Sequence, residues 1–157
     1  MKRVIAFVIA IVGATAFALP ASAAGAGAVS FTQTDHNVVQ TFRDFIPCVG
    51  GPATITTTTN DVFHVTYLTS GIGAGTAWAT GTSEGTVVAV ADSGVTYTGH
   101  FAIWFGDNNN LRNGNQEFNF NLNLTGTDGS VINGHVVGHA SVSATGVVLT
   151  FFQMTCS

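Results

Sequence analysis

Residues 116–126 alternate without a break, Phe118, Phe120, Leu122 and Leu124 against Glu117, Asn119, Asn121 and Asn123. A period of two puts successive side chains on opposite faces of an extended chain, so this segment is a strand with one apolar and one wet face. The same period, punctuated by Gly, Asn and Asp, runs through most of the chain from Val29 onward. It excludes a helical bundle. With 46% hydrophobic and only 8% charged residues, the chain is not a disordered polyelectrolyte either.

Eight strands follow from the pattern: 38–45, 53–59, 62–69, 76–91, 95–105, 116–126, 131–143 and 147–155. Asn60-Asp61, Asp92-Ser93-Gly94, Thr127-Asp128-Gly129-Ser130 and Ala144-Thr145-Gly146 read as turns, and 106–115 as a longer Asn-rich loop. Segment 76–91 can be a hairpin turning at 83–86, but its glycines fit one long strand bending over a core better. Long, sequentially paired strands joined mostly by short loops favour an all-β, antiparallel up-and-down barrel of about eight strands, which leaves no bare edge. A two-sheet β-sandwich is the alternative. The small-residue faces of 76–91 and 131–143 are expected to sit opposite the Phe-rich faces.

Residues 1–23 read as an export signal: basic Lys2-Arg3, the apolar run 4–19, then the small-residue pattern Ala21-Ser22-Ala23. Residues 24–28 read as a flexible leader, and 29–157 as a single domain. Without the signal, Arg43 and Arg112 face eight acids, a net charge of −6. That balance excludes a nucleic-acid footprint and disfavours anionic ligands. No later apolar run approaches the ~18 residues that a membrane span requires, so a secreted, extracellular product is expected. Cys48 and Cys156, an even pair in an exported chain, are expected to form a disulfide that ties the first strand to the last.

The chemistry-bearing residues are few. Of the five histidines, His36, His64, His100, His135 and His139, the last two have i, i+4 spacing. On a strand they stand about 13 Å apart, too far to share a metal ion. His64, His100, His135 and His139 fall on the polar parity with Trp78, Glu84, Trp104 and the Asn119, Asn121, Asn123 ladder. Two readings follow: this parity is the solvated outside, or it lines a lumen and forms a site.

No Ser occupies a Gly-x-Ser-x-Gly elbow. Glu84 and Glu117 are the only strand glutamates a glycosidase could use, and solvated surface positions explain them as well. Asp107-Asn108-Asn109-Asn110 lacks the spaced acids of a calcium loop. Trp78, Trp104, Tyr67 and Tyr97 suggest a stacking platform for sugars with Asn119 and Asn121 as hydrogen-bonding partners, while core packing is the simpler reading of the tyrosines.

Pro47-Cys48, residues 62–66, 96–101, Trp104-Phe105-Gly106, residues 126–130 and 143–146 resemble a group of small exported proteins of high-GC Gram-positive bacteria. The resemblance implies a secreted, disulfide-bearing β domain and carries over no activity or functional residue. The architecture is similar to lipocalin-like and allene-oxide-cyclase-like barrels. These readings lead to a non-enzymatic, secreted small-ligand-binding or extracellular interaction domain. Its ligand is expected to be small and apolar or sugar-like, held by His64, Trp78, Glu84, His100, Trp104 and His135. The alternative is a cyclase or isomerase-type barrel using lumenal His or Glu as acid and base. No cofactor, metal or catalytic residue is expected.

Overall fold

A computed structural model describes residues 27–110, 112–146 and 148–157. The signal segment 1–23 and the first residues of the leader lie outside these. The seven strands are β1 (Val29–Phe45), β2 (Pro52–Tyr67), β3 (Ala77–Ala91), β4 (Thr96–Asn109), β5 (Gly114–Gly126), β6 (Val131–Val142) and β7 (Val148–Cys156). They form one antiparallel sheet in chain order, β1 to β7. The up-and-down order agrees with the sequence; the strand count, the closed ring and the alternative of two sheets do not.

The count falls from eight to seven because Asn60-Asp61 is not a turn. Ile55, Thr57, Thr59, Asp61, Phe63 and Val65 keep one parity throughout, so the pleat never changes phase and β2 runs straight on. Asn60 instead reaches across to β1. There a bulge shifts the register between Asp35 and Val38, Asn37 has a positive φ of 54°, and its N–H donates to Asn60 Oδ1 at 3.2 Å.

Parity then decides closure. In a meander of eight strands the first and last run antiparallel; with seven, β1 and β7 run parallel, and a ring would need the less stable parallel ladder at its seam. No such ladder forms among the described residues, and β1 and β7 remain the two ends of the sheet. Their one covalent link is the Cys48–Cys156 disulfide, which joins the loop after β1 to the end of β7 with a Cα–Cα distance of 5.7 Å.

The inner face holds the core: Ile55, Val87, Phe101, Ile103, Phe120, Leu122 and Val136, with Ile46 of the β1–β2 loop packed against them. Large and small groups interlock as expected. Gly81 lies beneath the Phe63–Phe105 pair, whose centroids are 5.6 Å apart, and Gly138 lies beneath Phe118. At Gly85 and Gly99 the backbones come closer than any side chain permits. A Cβ there would sit 2.0 Å from Thr58 O and 1.9 Å from Asn123 O. Gly85 and Gly99 are diagonal neighbours across β3 and β4.

The connections are short. Gly94 and Gly129 turn at positive φ, and Asp128 Oδ1 accepts from both the N–H and the hydroxyl of Ser130. The expected loop 106–115 is shorter than the sequence suggested, because β4 continues to Asn109. Asn110 Oδ1 closes it by accepting from the N–H groups of Arg112 and Asn113. The leader is not wholly free: the carbonyl of Gly27 accepts from Thr69 N–H.

Candidate functional site

His64, Trp78, Glu84, His100, Trp104 and His135 all stand exposed on the outer face, opposite the core. This decides between the two readings of the polar parity: it is the solvated side, and the lumenal arrangement of acids and bases is corrected accordingly. Packing gives the reason. The other parity carries the Phe, Ile, Leu and Val side chains, and those occupy the concave interior.

Register brings part of the set together. Glu84, Ala102, Asn121 and His135 form one row across β3, β4, β5 and β6. Thr82, Trp104 and Asn119 form the next row on one side, and Thr86, His100 and Asn123 the next on the other. Ala102 is the small side chain at the centre, flanked by Glu84 and Asn121. The result is a shallow trough. One part, of about 490 Å³, lies among Asn60, Glu84, Thr86, His100, Asn121 and Asn123; an adjoining part of about 350 Å³ reaches Trp104 and Asn119.

Trp104 is 42% exposed, and its ring edge lies over Gly106, where an added Cβ would be 3.3 Å away. Glycine at 106 thus lets the indole lie down along the sheet instead of standing off it. The far wall is a hydrogen-bonded line: His135 Nδ1 lies 2.8 Å from Asn121 Oδ1, and Asn121 Nδ2 donates to Asn119 Oδ1 at 3.2 Å. An amide oxygen only accepts, so Nδ1 of His135 carries the proton, and its Nε2 is directed away from this bond.

Three candidates fall outside the trough, His135 standing behind Asn121 on β6. His64 belongs to the β1–β2 end of the face, with Nδ1 2.9 Å from Thr32 Oγ1. Trp78, 39% exposed, is in register with Asn108, beyond the end of the trough. Asn60, Thr82, Thr86 and Ala102 were not singled out from the sequence. The His100-x-Ala102-x-Trp104 spacing was the available signal, since one small residue between two large ones on a single face makes a notch. Tyr97 is core, at 6% exposure.

The geometry also limits the chemistry. Glu84 and Glu117 are two strands and four residues apart, roughly 16 Å, well beyond the ~5–9.5 Å of paired glycosidase carboxylates. His135 and His139 lie on one continuous strand, at the wide spacing expected of it. Among the described residues no three of His, Cys, Asp and Glu converge as metal ligands, and no helix is long and apolar enough to cross a membrane. Compared with known proteins, the chain matches no family profile, no curated sequence and no solved structure.

Proposed function

We propose that the protein is a secreted, non-enzymatic recognition domain that holds a neutral, sugar-like ligand in the outer trough of β3, β4 and β5. The observation that carries this reading is Trp104, an indole laid along an exposed sheet face next to a notch walled by Glu84, Asn119 and Asn121. Sugars present apolar ring faces that stack on an indole, and hydroxyls that exchange hydrogen bonds with amides and carboxylates. The eight acids against two arginines of the described chain favour a neutral ligand over an anionic one. The Cys48–Cys156 disulfide fits an oxidising, extracellular compartment.

The test is a panel of neutral oligosaccharides and insoluble polysaccharides, read by affinity electrophoresis and by tryptophan fluorescence. Trp104→Ala is expected to weaken binding at least about tenfold, equal to ~1.4 kcal/mol, and Ala102→Phe to abolish it by filling the notch. His64→Ala, outside the trough, is expected to bind like wild type. Absence of binding across the panel, or binding indifferent to Trp104→Ala, would overturn the reading.

A further inference from the structure

The inner face carries a polar island that the apolar core does not explain. Asp35, Asp61 and Ser83 are direct register partners across β1, β2 and β3. Their side chains therefore project from the same side in one row, with Cβ spacings of about 4.5–5.5 Å. Asp61 is only 3% exposed and Ser83 is fully buried. Asp61 Oδ2 accepts from Thr59 Oγ1 at 2.8 Å, and Asp35 Oδ2 accepts from Gln33 Nε2 at 2.7 Å. Asp61 Oδ1 and Ser83 Oγ have no hydrogen-bond partner among the described residues.

A buried carboxylate with one hydrogen bond is costly, and a second carboxylate directly across the ladder adds repulsion. Among the described residues no basic side chain offsets this: Arg43 pairs with Asp92, and Arg112 lies in the β4–β5 loop. The groups present are carboxylate and hydroxyl oxygens, which are the ligands of a hard cation. Thr57 Oγ1 is also unpartnered, but it lies four residues along β2, about 13 Å away, and belongs to no common site.

We propose that Asp35, Asp61 and Ser83 form a binding site for a calcium-class divalent cation on the inner face at the β1–β2–β3 end of the sheet. Asp61 Oδ1, Ser83 Oγ and the Asp35 carboxylate supply ligands, and Thr59 and Gln33 orient the two carboxylates by holding their second oxygens. Three side chains spread over three strands suit the adaptable coordination of calcium better than the compact octahedron of magnesium. The bound ion would fix β1, an end strand, to the interior of the sheet.

The experiment is thermal unfolding of the intact protein in chelator, in millimolar calcium and in millimolar magnesium at matched ionic strength, with calorimetric titration of calcium alone. Calcium is expected to raise the midpoint saturably, with a dissociation constant of about 10⁻⁴–10⁻³ M. Asp61→Asn, and separately the half-buried Asp35→Asn, should weaken calcium binding at least about tenfold. Each should also raise the midpoint in chelator, because the like-charge contact is gone. Asp107→Asn, in the Asn-rich segment, should leave the response intact. An unchanged midpoint in calcium, an equal effect of magnesium, or a calcium response surviving in both Asp35→Asn and Asp61→Asn would each overturn the proposal.

Discussion

At the scale of single residues, turn chemistry sets a pH dependence of its own. The Asp128 carboxyl, fully exposed, is held below the ordinary carboxylate range by hydrogen bonds from the hydroxyl and then the N–H of Ser130. A depressed folded value means that the stabilisation is complete at pH above the ordinary carboxylate value and is lost as pH falls through the lowered one. The thermal midpoint of wild type is therefore expected to lose its small advantage over Asp128→Asn as the solution is acidified through that window. A difference between the two that stays constant with pH would refute this. The exposed Arg43–Asp92 pair, by contrast, is screened by solvent and contributes little. Residue types announced the turns at Gly94, Gly129 and Gly146 correctly, since each has positive φ. They misled at Asn60-Asp61, where polar residues without Gly or Pro sit inside a strand, one capping a bulge and the other buried.

Whole elements answer to the approach of their backbones. Gly99 allows β4 and β5 to close to a distance that no Cβ fits, and the atom in the way, Asn123 O, belongs to the main chain and cannot swing aside. Gly99→Ala should cost about 1–3 kcal/mol or more, measured by urea unfolding, and a loss below about half a kcal/mol would show that the sheet relaxes freely. The single long β3 was legible because its small residues hold one parity from Ala77 to Ala91, and the pairing of its Gly81 with two phenylalanine rings followed from the same pattern. The phase continuity of β2 was equally present in the sequence, but residue type outweighed it in the reading. The trough was legible only in part. Alternation identified the face that carries Glu84, His100, Trp104 and His135, but which of them share a notch depends on cross-strand register, a non-local property that no single segment encodes.

For the whole molecule, the seam between β1 and β7 has no ladder, so the covalent link carries more of the burden of holding the ends together. The sulfur pair spans 108 residues. In the chain-entropy account such a loop contributes about 4–5 kcal/mol, a large share of the stability usual for a domain of this size. Replacing Cys48 and Cys156 together by Ala should lower the urea midpoint and steepen its slope, because the uncrosslinked denatured chain exposes more surface, and an unchanged midpoint would show that the sheet alone holds the fold. The barrel was expected because eight long strands close well; one missed continuity in β2 changed the parity of the count, and with it the sense in which the two ends meet.

The sulfur bridge has a mechanical consequence. It converts everything from Cys48 to Cys156 into a covalent loop, with the residues before Cys48 as a tail. A pull applied to the two termini would peel away β1 and then pass straight from one sulfur to the other, so the six ribbons after it, together with the face that bears Trp104, would carry no load. A tethered copy of this protein stretched between two surfaces would give up its first ribbon, extend by little more than that tail, and keep its outward-facing notch intact.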